Sequence, residues 1–333
     1  MRIFIAVNHI EEIGHRQTTA LLIAAMVRKG CSVHLADVDK FSVQGGFTEH
    51  RPFVNATKFE IARNQVSSFQ SVDVEAFAQS KPAQSRMKIG TGDLIFIRTN
   101  PGRDIERNSI HDSFLSVCLS AQSTGVRVVN DPANIRFFAS KAALSNIDSQ
   151  FRPVMIVSHD PVIISNFVRQ SKIECVVKPV VGSRGQDVIR VQPNQKDLPE
   201  LIALTFRDRG IIAQHFVKSD EPGDRRVVVA NGKILEIDGQ LGGIHRRPSD
   251  GDFRANIHAG GTAHKLTLTT KARNAVEHAA RILNDHGIWL AGVDLIGDQI
   301  IEFNVFSTGG LYFAEEESGI DFSGAIISQL LMR

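Results

Sequence analysis

Cysteine is scarce and scattered. Cys31, Cys118 and Cys175 stand far apart with no paired spacing, which speaks against a disulfide framework and against a zinc site. Each lies in an apolar context and reads as a buried free thiol. No apolar run approaches the roughly 18–20 residues of a membrane span. The run in MRIFIAVNHI is too short for a signal peptide and lacks a small-residue cleavage site. A cytoplasmic protein with no membrane partner is expected. Neither sign of charge is in excess: 38 Lys+Arg against 36 Asp+Glu leave a net charge of +2. Without a broad basic field, nucleic acid is not expected as a partner. The local clusters Arg225-Arg226 and His245-Arg246-Arg247 read as solvated surface unless other site residues lie near them. Several motifs are also missing: a P-loop, a G-x-G-x-x-G turn, a serine-hydrolase elbow and, despite 12 histidines, H-E-x-x-H. Repeats and low-complexity tracts are absent.

What remains is an ordinary globular composition, 42% apolar and 22% charged, over 333 residues. That length suits two or three α/β subdomains. A strand over Arg2 to Val7, a helix over Gln17 to Lys29 stopped by Gly30 and a strand over Ser32 to Ala36 make a βαβ opening, hence a parallel sheet. Gln44 to Lys88 has weak periodicity and reads as irregular or as a β extension. Strands at Leu94 to Ile97 and Arg127 to Val129, with a helix through Phe114 to Ser123, complete a first domain over 1–130. Asn130-Asp131-Pro132 reads as a turn, and a helix is expected from Ala133 to Ser145. The second domain, 131–333, divides into a lobe of about 145–215 and a C-terminal lobe of about 216–333. In the latter, Asn231-Gly232 marks a hairpin turn. A long helix covers Thr270 to Asp285, and a last one covers Asp321 to Leu331.

Three stretches carry chemistry. In VDLIGDQIIEFN, Glu302 and Asn304 are two apart on a strand and share a face. A three-residue loop, Gly297-Asp298-Gln299, would bring Asp294 onto that face; a two-residue loop would put it on the other. Two carboxylates and an amide oxygen together suit a hard cation such as Mg²⁺. A merely solvated polar face is the competing reading. In VVKPVVGSRGQDV, Lys178 ends an apolar strand, and Gly182, Ser183 and Gly185 follow, a loop whose amides can approach phosphate. Taken alone, this is more often a simple glycine turn. In GDFRANIHAGG, Arg254 and Asn256 alternate before a glycine pair and can hold a carboxylate or an oxyanion. A surface hairpin explains the same residues equally well.

Taken in order, these stretches resemble the ATP-grasp ligases, and among them the bacterial glutathione synthetases. IFIRTNPGRD, VVNDPANIRFFASK, VVKPVVGSRG, IAQHFV, DRRVVVANGK, DFRANIHAGG and AGVDLIGDQIIEFN carry the resemblance over nearly the whole chain. It implies an N-terminal parallel-sheet (pre-ATP-grasp) domain followed by a two-lobed ATP-grasp domain. ATP is the implied cosubstrate, with two Mg²⁺ ions, or Mn²⁺ in their place, held by Asp294, Glu302 and Asn304. Lys141 and Lys178 match lysines that hold the phosphates, and Gly182, Ser183 and Gly185 match the loop that covers them. Gln214, His215, Phe216 and Val217 match the hinge against adenine. Arg226, Arg254 and Asn256 match residues around the acyl substrate, the two arginines also steadying a tetrahedral oxyanion. Arg98 matches an arginine that reaches the peptide substrate, and Ser307 lies in the acceptor segment. The resemblance implies small-molecule or short-peptide substrates, an acyl-phosphate route to an amide, and a homo-oligomer, a dimer or a tetramer. VFSTGG, Val305 to Gly310, departs from the synthetases, which follow the metal asparagine with Thr-Ser-Pro-Thr. The loop GSRGQDV, DFRANIHAGG and the tail SGIDFSGAII lean toward the ligases that add glutamate to a ribosomal protein. The acyl donor and amine acceptor therefore stay open.

Overall fold

The computed structural model describes all residues except 46–49, 62, 183–186, 208, 249–260 and 333. The first sheet is parallel at its centre. Arg2–Val7 pairs with Ser32–Asp37 on one side and with Leu94–Ile97 on the other, and Arg127–Val129 follows beyond Leu94–Ile97. Strand order therefore reverses beside Arg2–Val7, and the carboxyl ends of Arg2–Val7 and Leu94–Ile97 open a crevice of the kind where ligands bind in such sheets. Much of the weakly periodic stretch is an antiparallel extension: His50–Lys58 adds to Ser32–Asp37, and Phe41–Gly45 and Ser85–Lys88 add to His50–Lys58.

The expected helix from Ala133 to Ser145 is broken. Ile135–Ala139 is helical, but Ser140 is extended (φ −80°, ψ 135°) and its hydroxyl accepts from the Ala142 amide at 3.2 Å, starting a 3₁₀ turn over Lys141–Asn146. This break sets Lys141 at the start of a new turn.

A second, antiparallel sheet is ordered Ile189–Val191, Cys175–Pro179, Ile211–His215, Met155–Ser158. Helix Pro161–Ser171, capped by the Asp160 carboxylate with proline at its first position, packs on it together with helix Leu198–Phe206. These elements have a core of their own, including Ile164, Val168, Val177, Phe206 and Ala213.

A third sheet is ordered Thr262–His264, Gly243–Arg247, Asp224–Ala230, Leu290–Ile296, Gln299–Asn304. Asn231 and Gly232 both take positive φ (51° and 75°), the turn expected of Asn-Gly. Helix Thr270–Asp285 buries Ala272, Ala275, Val276, Ala279 and Leu283, one stripe at helical spacing. Helix Leu311–Ser318 is an element that the sequence pattern did not announce. The last helix, Phe322–Leu331, crosses back to pack on Thr18–Arg28 of the first domain. The first and third sheets share their cores: Phe4, Phe114 and Phe138 belong with Val293 and Phe303, and Leu22, Ile23 and Met26 with Trp289, Phe322 and Ile326.

Candidate active site

Leu290–Ile296 and Gln299–Asn304 form a hairpin whose turn holds two residues, Gly297 and Asp298, not three. A two-residue turn alone would send Asp294 and Glu302 to opposite faces. A β-bulge prevents this: the pairing steps from Leu295↔Ile300 to Asp294↔Glu302, leaving Ile301 as the extra residue. Asp294 therefore sits opposite Glu302, and Gly292 opposite Asn304, with all three polar side chains on one face.

That face forms part of a cavity of about 1420 Å³ lined by the second and third sheets and by segments of the first domain outside its sheet. Lys141, Lys178, Gly182, Gln214, His215, Phe216, Val217, Arg226, Asp294, Glu302, Asn304 and Ser307 all line it. Ser183, Gly185, Arg254 and Asn256 lie outside the described residues.

The two lysines meet the acidic face from above. Lys141 Nζ is 3.6 Å from Glu302 Oε1 and donates to the Gly182 carbonyl at 3.4 Å. Lys178 Nζ donates to the carbonyl of Ile301, the bulged residue, at 3.3 Å. Burial, reinforced by repulsion from Lys141, lowers the Lys178 ammonium to about 8. Two ammonium groups over one face form a place for phosphate oxygens. Gln214 is buried on its strand, and among the described residues its side-chain nitrogen has no hydrogen-bond partner. Next to it, burial lowers the His215 imidazole, and the Arg190 guanidinium lies 4.3 Å from the Phe216 ring centre.

Asp294 is buried and held by two arginines. Arg226 grips it through Nε at 2.7 Å and Nη2 at 2.6 Å, and Arg246 reaches it at 2.9 Å. Burial opposes its charge, but the two guanidiniums outweigh burial and hold the carboxyl well below the usual carboxylate range. Arg246 is also bound by Asp224, whose own carboxyl is pushed up, chiefly by burial. Strand register produces this ladder, since Asp224 pairs with Arg246 and Arg226 with Asp294.

One sequence expectation is corrected, and one candidate residue lies apart from the cavity lining. Arg225 and His245 are buried, and Arg226 and Arg246 are only slightly exposed, so these members of the basic clusters are not solvated surface, while Arg247 is exposed. Their partners, Glu221, Asp224 and Pro222, lie on adjacent chain that pattern alone does not bring close. Arg98 does not line the cavity. It is buried at 5% exposure and donates to the Thr19 hydroxyl at 3.2 Å and the Thr308 carbonyl at 3.0 Å. It braces the segment that follows Asn304 and does not reach into the open space. Arg16 and Gln17, which sequence reasoning passed over, line the cavity from the first domain, Asp224 and Arg246 do so from the third sheet, and Thr308 does so from the segment after its last strand. No local sequence signal joins Asp224 to Arg246, which only the strand register brings opposite each other.

Residues 1–136 match the N-terminal domain of prokaryotic glutathione synthetase, and residues 141–318 match its ATP-grasp domain. A glutathione synthetase from Prochlorococcus marinus is 31% identical over 213 residues, covering 63% of this chain and 67% of the relative. One from Parasynechococcus marenigrum is 31% identical over 231 residues, covering 69% and 71%. One from Mesorhizobium japonicum is 24% identical over 327 residues, covering 97% and 96%. Among solved structures, a D-cycloserine synthetase superposes with a TM-score of 0.61 at 18% identity, over 98% of this chain and 99% of that one. A macrocyclase bound with its precursor peptide, from Microcystis aeruginosa, does so with 0.62 at 14%, over 100% of both chains. These two likenesses are of fold. The fold is thus an N-terminal α/β domain followed by an ATP-grasp domain, and the chain belongs to the prokaryotic glutathione synthetase family, the ATP-grasp ligases of that type.

Proposed function

We propose that this glutathione synthetase-like ligase joins γ-glutamylcysteine to glycine at the expense of ATP. The observation that carries the reading is the convergence of Asp294, Glu302 and Asn304 on one sheet face beneath Lys141 and Lys178. Two carboxylates and an amide oxygen are the donors a hard divalent cation takes. Among the described residues, the buried Asn304 side-chain nitrogen has no hydrogen-bond partner. Asp294, Glu302 and Asn304 would hold two Mg²⁺ ions, or Mn²⁺, and the ions would supply charge neutralisation at the phosphates.

In this scheme Gln214, His215, Phe216 and Val217 seat the adenine. Lys141 and Lys178 fix the phosphates, and Gly182, Ser183 and Gly185 cover them. A substrate carboxylate oxygen attacks the γ-phosphorus, breaking its bond to the β-γ bridging oxygen and releasing ADP. The amine of the acceptor then attacks the acyl carbon, passing through a tetrahedral oxyanion that Arg226 and Arg254 stabilise, and phosphate leaves. Asn256 and Ser307 complete the substrate contacts. Positioning and charge do the catalytic work, with little demand for a protein general base. The division at residue 130, the lobes of about 145–215 and 216–333, a cytoplasmic homo-oligomer and the lack of a nucleic-acid or membrane partner belong to the same proposal.

A second reading rests on Ser307 to Gly310. The two glycines lead into helix Leu311–Ser318, with Gly310 at φ 107°, so the acceptor side is built differently from a Thr-Ser-Pro-Thr segment. This favours a relative that couples another acid and amine, such as glutamate onto a peptide or protein. ADP release with ATP, Mg²⁺, γ-glutamylcysteine and glycine, each omitted in turn, separates the two. A requirement for both substrates and a matching tripeptide mass support the first. Turnover only on other acids and amines supports the second.

A further inference from the structure

The Asp294 carboxylate has two guanidinium partners, and they are not equivalent. Arg246 is clamped from behind. Its Nε donates to Asp224 Oδ1 at 2.8 Å and its Nη2 also meets Asp224 Oδ2, so it keeps a counter-ion whatever happens to Asp294. Among the described residues, Arg226 makes its hydrogen bonds to Asp294 alone. Its side chain also runs past three glycines. A Cβ at Gly292 would lie 3.3 Å from its Cδ, one at Gly310 3.8 Å from the same atom, and one at Gly309 3.9 Å from Nη1. Gly309 and Gly310 thus set no side chain of their own against Arg226, and the Ser307 to Gly310 segment lines the cavity.

We propose that Arg226 is an exchangeable counter-ion. A divalent cation binding at Asp294 displaces Arg226 but leaves Arg246 on Asp224, and the released guanidinium turns toward the Ser307–Gly310 segment to bind the carboxylate of the acid substrate. This rests on the reading of Asp294 as a metal ligand and adds a coupling to it. Metal and acid substrate then assist each other's binding, and by linkage the factor is the same in both directions. The bidentate pairing matters: a guanidinium holding both carboxylate oxygens must give up two charge-assisted bonds before Asp294 can serve a cation.

The test uses Mn²⁺ alone, titrated into the full-length protein by electron paramagnetic resonance, and γ-glutamylcysteine titrated by calorimetry with and without Mn²⁺. Arg226→Gln removes the competitor and is expected to bind Mn²⁺ about tenfold tighter than the parent, within the usual range of coupling factors. Arg226→Lys keeps the charge but loses the fork, so its Mn²⁺ affinity falls between the two. A purely through-space effect would instead leave Arg226→Lys at the parental value. In the parent, Mn²⁺ is expected to tighten γ-glutamylcysteine about tenfold, and this gain is lost in Arg226→Gln. Mn²⁺ binding that is unchanged, weaker or absent in Arg226→Gln overturns the exchange, as does a metal-induced gain that survives there. Asp294→Asn separates the premises. If it binds Mn²⁺ as well as the parent, the metal assignment itself fails and the exchange falls with it; if it loses Mn²⁺, the Arg226 variants decide the exchange alone.

Discussion

Asn130 offers the most direct test of how the two domains are joined. Its side-chain nitrogen donates to the carbonyls of Leu290 and Val305, both at 2.7 Å, and its oxygen accepts from the Leu290 amide at 2.9 Å. The residue is 3% exposed. One amide therefore ties the end of the first sheet to the start of strand Leu290–Ile296 and to the residue just after strand Gln299–Asn304. Asn130→Ala removes three buried hydrogen bonds and leaves the Leu290 amide without its acceptor. At about 1 kcal/mol net for each bond, plus about 1–3 kcal/mol for the orphaned donor, the expected loss is about 4–6 kcal/mol. Trp289, the only tryptophan, is buried one residue away. Urea unfolding followed by its fluorescence reports the change where it arises. Asn130→Asp sharpens the test, because it keeps the acceptor but turns a second oxygen toward two carbonyls. Burial and those neighbours raise the new carboxyl's pKa. The native state then holds a proton that the unfolded chain has lost above the ordinary range near 4, so stability falls as pH rises and recovers as pH drops from 7 toward 5. A loss under about 1 kcal/mol for Asn130→Ala, or a pH-independent Asn130→Asp, would refute the reasoning.

Two further outcomes concern the site. Glu302→Gln removes an anionic donor and the partner of Lys141 at 3.6 Å. It is expected to abolish ADP formation while leaving the Trp289 unfolding midpoint unchanged; near-normal turnover would sink the assignment. Lys178, lowered to about 8 from 10.5, penalises the folded state while protonated, so stability of the nucleotide-free protein rises as pH climbs through that window. Nucleotide binding has the opposite sign, since phosphate needs the charged amine: ATP affinity measured by calorimetry should fall above about pH 8. Lys178→Arg should flatten that dependence, and an unaltered profile would show that Lys178 is not the titrating group.

Local patterns carried most of the architecture. The opening βαβ unit, helix Thr270–Asp285 and the Asn231-Gly232 turn follow from periodicity, caps and turn chemistry, which act within a few residues. The pairing of Asp294 with Glu302 was one of two registers open in the sequence, and the chain reaches it by a route that neither loop length describes. No sequence rule places the bulge at Ile301, which takes the role assigned to a longer loop. The break at Ser140 was likewise hidden, since Ala133 to Ser145 has good helical composition and the extended Ser140 depends on its tertiary setting. Asn130 read as turn chemistry, whereas its three partners lie 160 and 175 positions away. Arg246 read as surface because its neutralising carboxylates come from two other strands. In each case the missing information is a contact distant in sequence, and charge or composition alone does not encode the partner.

The return of helix Phe322–Leu331 onto Thr18–Arg28 has a consequence for biosynthesis. Nine of the eleven residues of Thr18–Arg28 are buried, and Phe322, Ile326 and Ile327 belong to the same apolar cluster as Leu22, Ile23 and Met26. The early helix leaves the ribosome roughly three hundred residues before the strip that covers it. At elongation rates on the order of ten residues per second, that interval is about half a minute. Throughout it, the nascent first domain presents an apolar helix face with no intramolecular cover. Chaperone occupancy on the growing chain should be greatest over this interval and fall when the last helix emerges.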